Sequence, residues 1–336
     1  MTRSFRNLLF CLGVCLPLVS GCGRVISDER TSLPSDQQRK ARSIRIVTTV
    51  GMVTDIVRQV VGDRADVIGL LNEGVDPHLY KPTREDVKQL SDADVVFYGG
   101  LFLEGRMEEA LNKLRRADKP VVGVAESLDR STLRKPAEFE GHFDPHVWMD
   151  VKLWSQCVAA VAKAMCEFDA NHADEYQQRA ADYLTQLEQL DAYARKVIES
   201  IPAQQRVLVT AHDAFGYFGR AYGMEVKSVQ GISTESEAGV ADINALVDFL
   251  VGRKIGALFV ESSVSDKGLR AVIEGAAQRG WKVKVGGELF SDAMGSSGTY
   301  EGTYIGMIDH NATTMARELG GQVPEGGMNG KLSKIK

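Results

Sequence analysis

An α/β fold of two Rossmann-like lobes with parallel sheets, joined by one long rigid α-helix, is predicted by three features of the 336-residue sequence. Short β-branched runs alternate with amphipathic segments. The alternation occurs twice, and between its two instances lies a long stretch with neither glycine nor proline. Strand and helix in strict alternation imply parallel strands with crossover helices, and so many residues exceed what one hydrophobic core usually serves.

In the first lobe, residues 44–150, IRIVTTV reads as a strand and GMVTDIVRQVVG as a helix closed by Gly62. ADVIGLL is a second strand. TREDVKQLSD is a helix that Thr83 caps, with Asp86 three residues on to return the bond. DVVFYG, LEGRMEEALNKLRR and KPVVGV continue as strand, helix and strand. The connector, residues 151–202, opens with the helix VKLWSQCVAAVAKAMCEF. Its main element runs from about Ala173 to Ser200, with Tyr176, Ala180, Leu184, Leu187, Ala194 and Ile198 at near-helical spacing and Pro202 beyond its end. At ~1.5 Å per residue it extends ~40 Å, a rod suited to holding two lobes apart. The second lobe, residues 203–330, repeats the rhythm through RVLVTAH, AFGYFGRAYG, EVKSV, GVADINALVDFLVGR, IGALFVES, DKGLRAVIEGAAQRG, WKVKVG and TYIGMIDHNATTMARELG, and calls for a core of its own.

The N-terminus carries Arg3 and Arg6, an apolar run from Leu8 to Val19, then small residues ending at Cys22. This is a secretory signal over residues 1–22, too short for a bilayer span of ~20 apolar residues. Residues 23–43 are polar and aperiodic and read as a flexible tether. Cys157 and Cys166 sit nine positions apart on one helix, beyond disulfide reach, and are expected as two buried free thiols. A net charge of −5 with no basic block argues against nucleic-acid binding. Walker, dinucleotide-binding, His-Glu-x-x-His and Gly-x-Ser-x-Gly signatures are absent.

The chemistry concentrates in the histidines. Asp-Pro-His occurs twice, as Asp76-Pro77-His78 and Asp144-Pro145-His146. Proline fixes its own φ and restricts the residue before it, so each triplet holds an imidazole at a stiff angle. His212 stands at the carboxyl end of the strand RVLVTA, where ligands bind in open α/β sheets. Neutral imidazole is the commonest metal-binding side chain. Asp292, in the loop GGELFSDAMGSSG, is a fourth candidate, with a turn or cap role as its ordinary alternative.

These motifs carry a resemblance. DPHLYKPTREDVKQLSDADVVFY, DPHVWMD, AHDAFGYFGRAYG, QGISTESEAG, FVESS and GGELFSDAMG followed by EGTYIGM make residues from about Ile44 to Gly320 similar to the metal-binding lipoproteins of bacterial ABC importers. That is the cluster A-I solute-binding family with its TroA-like zinc or manganese binders. The resemblance implies that His78, His146, His212 and Asp292 are metal ligands, two from each lobe, and that His142, His172 and His310 are not. Val19-Ser20-Gly21-Cys22 also resembles a bacterial lipobox, which makes Cys22 the expected lipid anchor of an exported protein on the periplasmic or outer face of a membrane, with a monomer as the default expectation. The implied cargo is one Zn²⁺ or Mn²⁺ ion, and the implied partners are an ABC permease and its ATPase. Asp76, Asp144 and Glu261 are candidates for orienting ligands, each with an ordinary turn or strand-end role as the alternative.

Three departures from the family pattern stand out. Gly99-Gly100-Leu101 replaces the common Asn-Gly-Leu. The stretch ESLDRSTLRKPAEFEGH holds one histidine where zinc-specialised members carry a histidine- and acid-rich insertion. His212 stands where manganese-specialised members often have glutamate. A binding protein and not an enzyme is expected. The rival readings are a zinc-dependent hydrolase, for which Glu261 or Glu288 would supply the base, and an adhesion or scaffolding lipoprotein on the same fold. The long connector predicts a modest shift of loops or of one lobe upon metal exchange, not a wide hinge closure.

Overall fold

The computed structural model describes residues 43–333 apart from Asp118, Glu138 and Glu140. The predicted signal peptide, Cys22 anchor and all but the last residue of the tether lie outside the described residues.

β1 (Ile44–Thr48), α1 (Gly51–Val61), β2 (Ala65–Gly69), α2 (Arg84–Asp92), β3 (Val95–Tyr98), α3 (Glu108–Arg116) and β4 (Val121–Gly123) build the first sheet in the order β2-β1-β3-β4. Every pairing in it is parallel. Gly62 ends α1 at φ 57°, and Thr83 and Asp86 form the reciprocal cap of α2, as their spacing predicts. The helix expected over 103–116 is shorter, because Gly100, Leu101 and Phe102 all take positive φ and only a 3₁₀ turn at Gly105–Met107 precedes α3.

Two helices follow, α4 (Val151–Phe168) and α5 (Ala173–Glu199), the latter 27 residues long. The second half contains β5 (Val207–Thr210), α6 (Gly216–Tyr222), β6 (Glu225–Ser228), α7 (Val240–Arg253), β7 (Ala257–Glu261), α8 (Lys267–Gln278), β8 (Lys284–Leu289) and α9 (Tyr304–Glu318). Its ladders are parallel too, but they join β5 only to β6 and β7 only to β8. β5 runs beside β7 without a continuous ladder among the described residues. β8 begins three residues later than WKVKVG suggests, and its register against β7 slips between Leu258 and Phe259.

Along β5, Val207 and Val209 face one apolar cluster while Leu208 faces another. On β7, Leu258 and Phe259 divide in the same way. This two-sided burial is what a parallel sheet covered by helices requires. The larger cluster is shared: it contains Val47 and Phe97 from the first sheet, Trp154 and Leu187 from α4 and α5, and Phe259 and Met307 from the second half. The second half therefore has a small core of its own on one face and a common core on the other.

α5 is bonded to both halves. The Tyr183 hydroxyl donates to Asp55 on α1 at 2.8 Å, and Tyr193 shares a 2.7 Å bond with Thr313 on α9. Burial raises the Asp55 carboxyl above its ordinary range, with the Tyr183 bond opposing that rise. Cys157 and Cys166 are free, as expected, but only Cys157 is buried. Nine residues at ~100° each turn α4 by half a revolution net, so the two thiols occupy opposite faces. No described helix is long and apolar enough to cross a membrane.

Because one core runs through both halves, urea unfolding followed by tryptophan fluorescence should show a single transition; two separated transitions would contradict the shared core. Leu187→Ala, at a fully buried position on α5, should lower stability by about 2–5 kcal/mol.

Candidate metal centre

Two of the four predicted side chains stand just past the carboxyl ends of parallel strands in the second half. His212 is two residues beyond the end of β5, and Asp292 is three beyond β8. His78 follows β2 through a turn, and His146 opens the 3₁₀ turn Val147–Met149 ahead of α4. Strand ends of both halves thus point into one crevice, as the topology of open α/β sheets dictates.

The four meet. Nε2 of His146 lies 3.3 Å from Nε2 of His78 and 3.4 Å from Nε2 of His212. The Asp292 carboxylate reaches His212 Nε2 at 3.1 Å, His146 Nε2 at 3.2 Å and His78 Nε2 at 3.7 Å. One donor atom from each residue falls within 4.8 Å of the others, and all four residues are buried. Both Asp292 carboxylate oxygens are buried without a hydrogen bond. A desolvated carboxylate so placed is costly unless a cation or strong donor completes it.

The far side of each ring decides which nitrogen faces the centre. His146 Nδ1 lies 2.8 Å from Asp144 Oδ1, which also accepts the His146 backbone N–H at 3.0 Å. His212 Nδ1 lies 2.5 Å from Glu261 Oε2, and Glu261 Oε1 accepts the His212 backbone N–H at 2.9 Å. A carboxylate at Nδ1 accepts a hydrogen bond from Nδ1–H, which keeps the proton on that nitrogen and leaves the Nε2 lone pair facing inward. Asp76 behaves differently: it accepts the His78 backbone N–H at 2.8 Å and fixes the turn. The two Asp-Pro-His triplets therefore share a turn but not a ring contact.

Charge follows this arrangement. Burial pushes the His78 imidazole down to about 3. At His146 burial acts in the same direction, yet Asp292 and Asp144 hold the imidazole up at about 9. His212 is raised well above the ordinary range against burial by Glu261 and Asp292. Burial also opposes charge on Asp292, but His212 and His146 hold its carboxyl well below the usual range.

Arg134 extends the network, unsingled by sequence reasoning because DRSTLRK reads as an ordinary solvated basic stretch. Its guanidinium pairs with Asp144 and lies 3.7 Å from Asp213. It fills the space over Gly216, where any Cβ would collide with it. Tyr217 donates to the Asp144 carbonyl at 2.8 Å and accepts the Arg134 backbone N–H at 3.0 Å. Trp148 donates from its indole to the Ser291 carbonyl at 2.9 Å, tying the His146 turn to the Asp292 loop.

The remaining histidines lie elsewhere. His142 stacks on Phe102 with centroids 4.5 Å apart, His172 bonds Asp169 before α5, and His310 on α9 bonds the Glu288 carbonyl. Gly99 and Gly100 donate their backbone N–H groups to buried Glu104, so the loop where the family has asparagine is held from within.

Residues 46–318 match the model of the ZnuA family, described as zinc-uptake complex component A, periplasmic. The zinc-binding protein TroA of Treponema pallidum is 48% identical over 274 residues, 82% of this chain and 88% of that protein. The manganese-binding lipoprotein MntA of Bacillus subtilis is 43% identical over 301 residues, 90% of this chain and 95% of that one. The solved structure of periplasmic zinc-binding TroA from Treponema pallidum superposes with a TM-score of 0.80 at 47% identity, covering 83% of this chain and 99% of that chain. With a family model spanning most of its length and these relatives across it, the chain belongs to the ZnuA family of cluster A-I metal-binding solute-binding proteins.

Proposed function

We propose that this chain is the extracytoplasmic solute-binding protein of a metal ABC importer, which captures Zn²⁺ or Mn²⁺ between two lobes and hands it to a permease driven by its ATPase. The lobes are residues 44–150 and 203–330, either side of a connector over 151–202. His78, His146, His212 and Asp292 are the ligands. The protein is exported by the signal of residues 1–22, anchored through lipid on Cys22, tethered by residues 23–43, monomeric, and without enzymatic activity.

One observation carries this reading: three imidazole nitrogens and a carboxylate with no hydrogen bond of its own converge in a buried crevice. A tetrahedron with ~2.0 Å bonds has edges of about 3.3 Å, close to the four shortest ligand–ligand distances of 3.1 to 3.4 Å. Three nitrogens and one carboxylate suit zinc; bidentate Asp292 would add a ligand and admit manganese, although general affinities still favour zinc. A hydrolytic zinc keeps an open position and a free base nearby. Here four candidate ligands close the centre, Glu261 is engaged with His212, and Glu288 is exposed on β8.

Elemental analysis of protein purified without added metal, followed by calorimetric competition between Zn²⁺ and Mn²⁺, tests the function. Sub-stoichiometric metal and affinity no better than millimolar for both ions would sink it. His146→Ala should weaken zinc binding by at least ~100-fold while the fold persists; unchanged affinity would overturn the ligand assignment. Neighbouring carboxylates raise the His146 and His212 imidazoles, His146 to about 9, so an entering metal must compete with protons for both rings. Affinity should therefore fall as pH drops from about 9, by about tenfold per pH unit for each proton displaced. Titration in buffers of different ionisation enthalpy measures that release directly.

A further inference from the structure

The segment QGISTESEAG belongs to none of the ligand-bearing turns, yet it lies against one of them. Thr234 is buried, and its hydroxyl donates to Asp76 Oδ2 at 2.5 Å. The other Asp76 oxygen accepts the His78 backbone N–H at 2.8 Å. This chain of two bonds crosses from the second half of the molecule to the first. Beside it Arg106 and Glu235, again from opposite halves, form a 2.9 Å ion pair. Both line a small cavity with His78, Phe102, Phe139 and Ser233.

His78 differs from the other two imidazoles in how it is held. His146 and His212 each have a carboxylate at both backbone and ring, donated from their own side of the crevice. Asp76 holds His78 by the backbone alone, and Asp76 is itself held from across the crevice. The His78 ring also lines that small cavity beside the centre.

We propose that Thr234 is a positioning residue for metal capture: through Asp76 it holds His78 at the centre only while the two halves are together, and His78 is the ligand past which the ion enters and leaves. The coupling is one-directional in geometry. Separating the QGISTESEAG loop from Asp76 frees the His78 turn, whereas Glu261, Asp292 and His212 sit on neighbouring strand ends of one half and stay together. The Arg106–Glu235 pair is half-exposed and adds little at equilibrium. The part-buried hydroxyl–carboxylate bond is the stronger tie.

The inference rests on the proposed metal-binding function, and the test separates the two. Zinc dissociation from the full chain is followed by stopped-flow transfer to a chromogenic chelator, for the natural sequence, Thr234→Val, Thr234→Ser, Asp76→Asn and the Val/Asn double variant. Valine is isosteric and should speed release by about 10- to 100-fold, the range expected when a group supporting a metal ligand is lost. Serine keeps the hydroxyl and should restore release to within about threefold of the natural rate. The double variant should release no faster than the faster of the two single variants, because both changes break one chain. Release from Thr234→Val at the natural rate, serine as impaired as valine, or fully additive effects would each overturn the inference while leaving the metal site standing. Failure of the natural sequence to bind zinc or manganese would instead remove the proposed function, and the inference with it.

Discussion

The structure depends on one electrostatic constraint: a carboxylate, that of Asp292, taken fully out of water with neither oxygen hydrogen-bonded. Its surroundings are three imidazoles, and two of these are themselves backed by buried carboxylates, Asp144 and Glu261. Desolvating that much negative charge is unfavourable unless positive charge stands at the centre, whether protons on the rings or a divalent ion. Protons and metal therefore compete for the same lone pairs. The fold's task is to keep this arrangement from relaxing when either is absent.

Asp144, Glu261, Trp148 and Tyr304, which support the candidate ligands, are buried like them, while Arg134 acts from the rim. The Arg134 guanidinium, laid over Gly216, neutralises one backing carboxylate from the rim. The indole of Trp148 and the hydroxyl of Tyr304, which donates to the Trp148 carbonyl at 2.7 Å, fasten the His146 turn to the opposite half. α5 and the shared apolar core then limit how far the halves can part.

Much of this was legible in the sequence, for identifiable reasons. Thr83 and Asp86 announce their cap by spacing alone, and the long connector shows itself by the absence of breakers. Proline beside His78 and His146 marks both turns, and His212 betrays itself by standing at a strand end. Asp292 stands out as a candidate in its glycine-flanked loop, where a turn or cap role is the ordinary alternative, and family resemblance places it on a ligand position. What stayed hidden was whatever depends on distant partners. Glu261 reads equally as a ligand-orienting residue or an ordinary strand-end residue until His212, 49 positions away, is beside it. Arg134 reads as solvated until Asp144 and Gly216 enclose it. Periodicity says which face of β5 or β7 is apolar but not what covers it, so the core common to both halves and the interrupted second sheet emerged only in three dimensions.

Trp148 carries a consequence of its own. Its ring meets the His146 imidazole at an edge-on 63° with centroids 5.2 Å apart, while its N–H is bonded to the residue preceding Asp292. An indole so close to a candidate metal ligand has excited-state energies tuned by the local field. A divalent ion at this centre would alter that field, so the emission colour of one natural chromophore would report occupancy, with no dye attached.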